Sequence, residues 1–365
     1  MSPTRRLFPT EFDLRKGLRR RASIAACLAL AAVAVAPGGC ELFKPQRDRA
    51  AVAPAQPVEP IAPVAAPTPS PTQQDRVESA RVLAETGDYE EALRLFQSLL
   101  AENPTLTVAF VGIGDIHLAQ GNYREAEPAY ARAVRLEPSN FDAQFGHGRV
   151  LQLLTRFAEA VRAYQRALTI RPYDIDSNIN IATAYLQLEE PTLAVPFAEK
   201  AVELDPDNGG ARTNLGAAYE RVGRHRDAIV QYEVAMELME PSGPLLLNLI
   251  NAYITEKRFQ EAVNAAEILL RLEVTANAYE RMGFAYFRMG DFGRSKAAYR
   301  AAVRLEPDHW PSWNGIGVNA LNAWLASERK DLDAMVEARD AFRNSLRLNQ
   351  EQPKVVALLS KYYTK

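Results

Sequence analysis

The chain has 365 residues, of which 47% are hydrophobic and 24% are charged, so it can bury a large apolar core and its composition excludes a wholly disordered protein. Its formal net charge is −2 but unevenly spread: residues 1–39 contain seven basic and two acidic side chains, which leaves −7 for the remainder. An acidic chain without a basic stripe binds nucleic acid poorly, so we expect no such partner. Both cysteines, Cys27 and Cys40, precede residue 73, which excludes a disulfide or a thiolate metal site in the later residues.

The first 40 residues carry the features of an export signal. A basic run at residues 15–21 is followed by an uncharged apolar stretch at residues 22–36, and then by Gly38, Gly39 and Cys40. This order is typical of a secretory signal, and the apolar stretch is shorter than the roughly 20 residues that a membrane-spanning helix needs. We therefore predict that residues 1–39 are a signal peptide.

With a cysteine directly after two glycines, this segment resembles a bacterial lipoprotein signal, whose cysteine is diacylated and becomes the mature N-terminus. The resemblance implies a lipid on Cys40, through which the protein would contact a membrane. The residue after this cysteine is Glu41 and not an aspartate. By the same resemblance, this implies the outer membrane, with the protein facing the periplasm. Pro37 departs from the pattern, which leaves open a plain secretory signal and a soluble periplasmic or secreted protein.

Residues 40–72 contain this cysteine and a linker rich in proline and alanine. Eight prolines fall within residues 45–72, a composition that favours extended polyproline II over a packed core. At about 3.1 Å per residue, this stretch can reach on the order of 85 Å. We expect the linker to hold the following residues away from the bilayer.

Residues 73–352 contain a pattern that recurs every 34 residues. Residues 214–219 read Asn-Leu-Gly-Ala-Ala-Tyr, residues 180–185 read Asn-Ile-Ala-Thr-Ala-Tyr, and residues 248–253 read Asn-Leu-Ile-Asn-Ala-Tyr. A fixed period of this length indicates a repeat array, and the glycines and prolines of each unit mark helix boundaries. The spacing of small, aromatic and proline residues resembles the tetratricopeptide repeat. This resemblance implies an all-α solenoid of about eight helix-turn-helix units, wound as a right-handed superhelix.

The end of the array departs from this period. In the eighth unit the second half is displaced by about nine residues, and the insertion near residues 323–333 either lengthens the helices or forms a projecting loop. Residues 353–365 carry further spaced apolar side chains. We predict that they form a capping helix, because a solenoid needs its last apolar face covered.

No residue pattern in the chain indicates catalysis. The sequence contains no Ser-His-Asp spacing, no His-Glu-x-x-His motif and no phosphate-binding loop. The four histidines are scattered through the array. We therefore predict no catalytic site, no metal site and no cofactor.

Three successive units have asparagine at the sixth position of their first helix, at Asn180, Asn214 and Asn248, and Asn251 follows one helical turn later. In the tetratricopeptide-repeat fold, the first helix of each unit lines the concave surface. A primary amide offers two donors and an acceptor, so it can pair with a peptide bond whatever side chain that residue carries. The row resembles the asparagine ladders of the O-GlcNAc transferase superhelix and of armadillo repeats, and we predict a peptide-binding groove. The alternative, that these amides only join neighbouring helices, stays open.

Two arginines, Arg281 and Arg288, follow the row of asparagines and complete the predicted site. Guanidinium groups bind carboxylates well, so these side chains are suited to an acidic group or a C-terminal carboxylate. The clamp of chaperone-binding tetratricopeptide-repeat domains uses a lysine and an asparagine in the first unit. Val77 and Arg81 hold those places here, which argues against a heat-shock adaptor.

Together these features predict a non-catalytic scaffold, exported and lipid-anchored, that binds extended segments of envelope proteins in its groove. Bacterial lipoproteins of this plan resemble those that help to assemble pili or secretion channels. Two alternatives remain: a structural protein that self-assembles through its repeats, and an accessory to enzymes of the cell wall or of polysaccharides. The oligomeric state is not predicted by any of these features.

Overall fold

The computed structural model describes residues 70–363, except for the side chain of Pro71. All of these residues lie in the unit Pro37–Lys365. The predicted signal peptide, Cys40 and nearly all of the linker lie outside the described residues, so the lipid attachment stays a prediction. Within residues 70–363 the protein is all-α, with seventeen helices and no strand, which confirms the predicted fold class. None of these helices is both long and apolar enough to cross a bilayer.

Successive helices alternate between the first and second members of helical hairpins. The odd-numbered helices are α1 (Pro71–Thr86), α3 (Thr107–Ala119), α5 (Phe141–Leu153), α7 (Ile175–Gln187), α9 (Gly209–Arg221), α11 (Gly243–Thr255), α13 (Ala276–Arg288), α15 (Trp310–Ala326) and α17 (Pro353–Tyr363). The even-numbered helices are α2 (Tyr89–Glu102), α4 (Tyr123–Leu136), α6 (Phe157–Ile170), α8 (Pro191–Leu204), α10 (His225–Leu238), α12 (Phe259–Leu272), α14 (Phe292–Leu305) and α16 (Leu332–Leu348). We number the hairpins from repeat 1 (α1 and α2) to repeat 8 (α15 and α16).

The stack of repeats has two unequal sides. Each helix packs against its neighbours in the chain, and every odd-numbered helix from α1 to α13 also approaches the next odd-numbered helix. The even-numbered helices stay farther apart from one another. The odd-numbered helices therefore form the inner side of the stack, which we call the inner face. The handedness of the superhelix stays a prediction.

Aromatic side chains from the even-numbered helices fill the space between repeats. The aromatic residues at this position, all nearly or fully buried, are Phe96, Tyr130, Tyr164, Tyr232, Tyr299 and Phe342. Tyr130 shows why the repeat pattern needs small residues: Gly114 of the same repeat and Gly146 of the next repeat both face its ring, and a β-carbon at either place would overlap it. The helices can approach this closely only because glycine has no side chain.

Repeats 4 and 6 lack this aromatic residue and carry Ala198 and Ala266 in its place. In repeat 6 the bulk moves to the odd-numbered helix, where Ile250 is fully buried at the position that is Gly216 in repeat 5. The residue that would face the aromatic position from the next repeat is Arg281, and it is only 8% exposed. In repeat 6 the large residue is therefore on the first helix and the small residue on the second.

The turn between the two helices of a repeat uses the left-handed region of the backbone. Gly121 has a φ of 76°, as the repeat pattern leads one to expect. Where glycine is missing, other residues adopt the same conformation: Glu189 and Lys257 both have a φ of 60°. Pro191 then starts α8, where the absence of an N–H group costs nothing. The hairpin geometry is thus imposed by packing even at sites without glycine.

In repeat 8, the insertion lengthens both helices. α15 and α16 have 17 residues each, whereas α13 has 13 and α14 has 14. At a rise of about 1.5 Å per residue, the hairpin extends roughly one helical turn farther. α17 packs against α16, and the ring of Trp324 on α15 lies 5.9 Å from Tyr363 and 6.2 Å from Tyr362. Aromatic contacts therefore cover the last apolar surface of repeat 8.

Candidate functional site

All six residues of the predicted groove lie on inner-face helices. Asn180 is on α7, Asn214 is on α9, and Asn248 and Asn251 are on α11. These four asparagines are half-buried. Arg281 and Arg288 are both on α13, but the first is buried and the second is exposed. The structure thus places the amides in one row along neighbouring helices, at a spacing of one repeat for the first three.

Each amide of the row uses only part of its hydrogen-bonding capacity inside the protein. The Nδ2 of Asn214 donates to the Oγ1 of Thr183 on α7, at 3.2 Å. The side chain of Asn248 lies close enough to the hydroxyl of Tyr232 to oppose the rise of its pKa. Since an amide has two N–H donors and an oxygen with two lone pairs, each of these side chains retains groups that can meet a ligand. Both the structural and the binding interpretation of the amides are therefore compatible with these contacts.

Asn251 is the one member of the row whose amide oxygen is both buried and without a hydrogen-bond partner. Its Oδ1 is shielded from solvent and has no hydrogen-bond partner among the described residues. Leaving a buried acceptor unpaired costs about 1–3 kcal/mol, so most such groups in proteins find a partner. The amide lies one helical turn from Asn248 on α11, where it faces the same side of the helix.

Tyrosine hydroxyls from the even-numbered helices reach the inner face, which the sequence analysis did not anticipate. Tyr232 donates to the Oε2 of Glu220 at 3.0 Å, and Tyr164 donates to the Oε1 of Gln152 at 3.0 Å. Tyr130 forms a short hydrogen bond with Asp115. Each ring stays buried while its hydroxyl reaches a polar side chain of the odd-numbered helix, as is usual for buried tyrosines. The sequence does contain a signal for these pairs. In each repeat concerned, a polar residue stands at position nine or twelve, on the first helix, and a tyrosine occupies the aromatic position of the second helix.

Several carboxyl groups of the inner-face helices have a raised pKa. Burial is the largest cause that raises the pKa of four carboxyl groups, and all four are on odd-numbered helices: Asp115, Asp176, Glu220 and Glu280. The carboxyl groups with a lowered pKa, Glu159 and Asp291, instead lie near turns and receive hydrogen bonds from arginine side chains or the backbone. Poor solvation of a carboxylate strengthens its attraction for a cation that is brought beside it.

Arg281 is already occupied by an ion pair. Its Nε lies 3.3 Å from the Oε2 of Glu280, and both side chains are nearly buried. Burial raises the pKa of Glu280 even though the guanidinium opposes the shift. At the end of the row of amides, the charge of Arg281 is therefore neutralised by Glu280. A ligand carboxylate would have to compete with Glu280 for the guanidinium group.

Arg288 is free to meet a ligand charge. It forms no ion pair with any residue from 70 to 363, and its guanidinium lies over the rings of Phe259 and Phe284, at 5.0 Å and 5.8 Å from their centroids. Such stacking holds the charge in place without neutralising it. Of the two predicted arginines, Arg288 is the one placed to receive an acidic group.

A cleft of about 390 Å³ lies away from the inner-face row, between α14, α15 and α16. Its lining includes Arg304, Trp313 and Asn344, and none of the six predicted residues. Among the described residues, no group of three or more His, Cys, Asp and Glu side chains is placed to hold a metal ion. The row of amides and its neighbouring carboxyl groups therefore remain the candidate site.

Comparison with known proteins agrees with the repeat assignment. Sequence profiles of the tetratricopeptide repeat match residues 77–107, 111–175, 175–208, 197–230 and 276–309, which together cover about half of the chain. No curated protein matches the whole sequence closely enough to serve as a relative.

Several solved structures share the fold. A chain of the APC/C hetero-tetramer Cut9-Hcn1 is 17% identical, with a TM-score of 0.52, and the match covers 66% of this chain and 48% of that one. This chain thus corresponds to about half of that relative. PilF of Pseudomonas aeruginosa is 17% identical, with a TM-score of 0.50 and coverage of 55% and 91%. PilW, a type IV pilus biogenesis factor, is 17% identical, with a TM-score of 0.51 and coverage of 56% and 94%. At this identity the likeness concerns the fold alone, and with the profile matches it leads to one conclusion: the chain belongs to the tetratricopeptide-repeat family.

Proposed function

We propose that the protein is a non-catalytic scaffold whose inner face binds an extended segment of another protein. The observation that carries the proposal is the row formed by Asn180, Asn214 and Asn248, which are half-buried at equivalent places on three successive inner-face helices. Packed helices lie about 8–10 Å apart, and an extended chain rises about 3.3 Å per residue. One amide therefore meets roughly every third residue of a bound segment, and the row spans about six residues.

The proposal includes the place where this scaffold works. The order of basic, apolar and small residues before Cys40 supports export and lipid attachment, and the proline-rich linker supports a tether that separates the array from a membrane. In this proposal the protein faces the periplasm from the outer membrane and its partners are envelope proteins. The fold shared with PilF and PilW makes assembly of a pilus or secretion channel the first process to examine.

Replacing the three amides tests the groove. In the full chain, the triple substitution Asn180→Ala, Asn214→Ala and Asn248→Ala should abolish co-purification of envelope proteins and leave the helical circular dichroism unchanged. A matched control removes three asparagines that lie outside the inner-face row, Asn122, Asn264 and Asn344, and should retain the partners. Equal recovery of partners by both variants would contradict the proposal.

A second candidate function is self-assembly. It is favoured by exposed apolar side chains near the junction of repeats 6 and 7, where Leu272 is 56% exposed and Val274 is 57% exposed. Contiguous exposed apolar surface often marks an interface. Sedimentation of the full chain in mild detergent separates the two functions, because a monomer at micromolar concentration argues against self-assembly.

A further inference from the structure

Glu220 is a carboxyl group of the inner face that has no cation paired with it. It lies near the end of α9 and is half-buried, and its Oε2 accepts the hydroxyl hydrogen of Tyr232 at 3.0 Å. Burial is the main cause that raises its pKa. His225 and Arg221 oppose that shift from a distance, but neither forms an ion pair with it within the described residues. A poorly solvated carboxylate is thus left with one hydrogen-bond donor.

Glu220 is connected to the row of amides through Tyr232. The hydroxyl of Tyr232 that donates to Glu220 also lies close to Asn248, so these three groups link α9 to α11. One helical turn along α11, the Oδ1 of Asn251 is buried and unpaired. Glu220 and Asn251 lie on the odd-numbered helices α9 and α11, which approach each other directly.

Repeat 2 contains a similar arrangement, in which arginines of both adjacent repeats act on the carboxyl group. There Tyr130 donates to Asp115, whose pKa is also raised by burial, but Arg149 and Arg81 lie near enough to lower it. Glu280 in repeat 7 likewise has Arg281 beside it. Of these three carboxyl groups, Glu220 is the one whose neighbours from adjacent repeats supply amides instead of a guanidinium.

We propose that the inner face binds one lysine or arginine side chain of the extended segment at Glu220, next to the row of amides. The inference rests on the proposed function and specifies its partner. Ammonium and guanidinium groups carry only donors, so they match a carboxylate that has no ion pair within the described residues. A cation placed against a poorly solvated carboxylate gains more than one placed against an exposed carboxylate. Because Glu220 is linked to Asn248, the basic residue lies near the point of the segment that the Asn248 amide meets.

Selection from a random peptide library tests this specificity. A phage-displayed dodecapeptide library is panned on the purified full chain, and selected peptides are synthesised and measured by fluorescence anisotropy. Peptides whose binding is lost with the triple asparagine variant should share a lysine or arginine at one position. Exchange of that residue for norleucine, which keeps the length but removes the charge, should weaken binding to the unmodified protein at least tenfold.

Two variants show whether Glu220 is responsible. Glu220→Gln keeps an acceptor for Tyr232, and with this variant the norleucine exchange should have no more than a twofold effect. Asp115→Asn makes the same change in repeat 2, away from Asn248, and should leave the full tenfold effect. Circular dichroism confirms that both variants are folded.

The outcomes separate the inference from the function on which it rests. Peptides that need the three asparagines but tolerate norleucine, or that keep the tenfold effect with Glu220→Gln, overturn the basic-residue specificity and leave the groove intact as a peptide site. A library that yields no peptide dependent on the three asparagines overturns both.

Discussion

At the scale of single residues, the small side chains of the repeat pattern are set by the aromatic rings that they face. A β-carbon at Gly146 would lie 2.3 Å from the Cε1 of Tyr130, which is buried on all sides. The ring cannot turn away, because Gly114 holds its other face at a similarly short distance. The glycine is therefore required by close packing of two helices.

We expect Gly146→Ala to destabilise the protein by about 1–3 kcal/mol, because overpacking outweighs the gain in helix propensity. Gly293→Ala is the control: a β-carbon there meets nothing nearer than the Oδ1 of Asp291, at 3.9 Å, so the substitution should be neutral or raise stability by up to about 1 kcal/mol. Thermal unfolding followed by circular dichroism measures both. Equal melting temperatures for the two variants would contradict the packing argument.

Glu220 should make stability depend on pH in a direction opposite to that of an exposed ion pair. Since its pKa is raised above 4.5, the folded protein holds this proton more tightly than the unfolded chain does. Its contribution therefore favours folding below pH 4.5 and is lost as the pH rises through the raised value. Glu220→Gln should gain stability relative to the unmodified protein as the pH rises from 4.5 through the raised pKa, measured as urea midpoints.

Glu159 provides the control of opposite sign. The hydrogen bond from Arg156, 2.7 Å long, lowers the pKa of this carboxyl, so its contribution is present above its ordinary pKa and is lost as the pH falls. Glu159→Gln should therefore lose stability relative to the unmodified protein as the pH rises. The same pH trend in both variants would show that the two pKa shifts are not the cause.

The residues of the candidate site were predictable in position but not in pairing. Repeat spacing alone places Asn180, Asn214 and Asn248 on inner-face helices. The spacing does not show that Arg281 is buried against Glu280, because that depends on the room left near Ala266. The contact between Tyr232 and Glu220 joins two helices through a side-chain rotamer, which a repeat pattern does not specify.

At the scale of helices, arginines at the turns connect neighbouring repeats. Arg224 stacks on the ring of Tyr219 at 3.9 Å, pairs with Asp227 at 2.7 Å, and lies 3.6 Å from Glu199 of the preceding repeat. Arg258 repeats this arrangement one unit later. These side chains are partly exposed, so each ion pair contributes little to stability. We infer that the two arginines serve mainly to orient the turns.

The capping helix α17 should protect the hairpin beneath it. Val355 is buried at the start of α17 whereas Val356 is 49% exposed, so the two neighbours form a matched pair. Val355→Ser should loosen the contact with α16 and speed hydrogen exchange in α15 and α16, because local stability follows buried apolar contact. Val356→Ser should change exchange little. A faster exchange with both variants, or with neither, would argue against capping by α17.

The ambiguity at repeat 8 shows what a periodic pattern leaves open at this scale. The sequence located an insertion near residues 323–333 but allowed either longer helices or a loop. The structure has longer helices, and Trp324 lies in the added turn of α15 with its ring against α17. That contact links residues about 40 apart, so it lies beyond the reach of a single repeat unit.

At the scale of the whole array, the buried apolar side chains do not form one uniform core. The largest cluster runs from Leu151 to Ala298, whereas separate clusters serve repeat 1 and repeat 8 with α17. In a stack where each unit contacts only its neighbours, stability is close to a sum of local contributions. The periodic sequence predicted the stack, but not that its central repeats would be joined more continuously than its ends.

Hydrogen exchange should report this gradient. We expect the slowest exchange in α7–α12 and faster exchange in α1 and α2. Leu99→Ala, at a fully buried site in repeat 1, should cost about 2–5 kcal/mol locally and speed exchange in α1–α3 without affecting α9–α12. Leu249→Ala in the central cluster is the comparison and should affect repeats on both sides. A uniform change along the array after Leu99→Ala would contradict local stability.

The proposed anchor has its own test. In a bacterial host, Cys40→Ser should prevent labelling by radioactive palmitate and move the protein from the membrane fraction to the soluble fraction, because acyl chains supply the affinity for the bilayer. Cys27→Ser, in the predicted signal peptide, should leave labelling unchanged. Labelling that persists in Cys40→Ser would exclude this residue as the attachment site.

The exchange of bulk in repeat 6 bears on how such an array can change its length during evolution. A recombination event that deletes repeat 6 would bring Arg281 against the ring of Tyr232, a place that Asn248 now occupies. The match between Ile250 and Ala266 would leave with the deleted segment, but the arginine would remain with no room for its side chain. Gain or loss of a unit therefore demands a compensating substitution at the new junction. The residues that must evolve together are those on the two sides of a boundary between repeats.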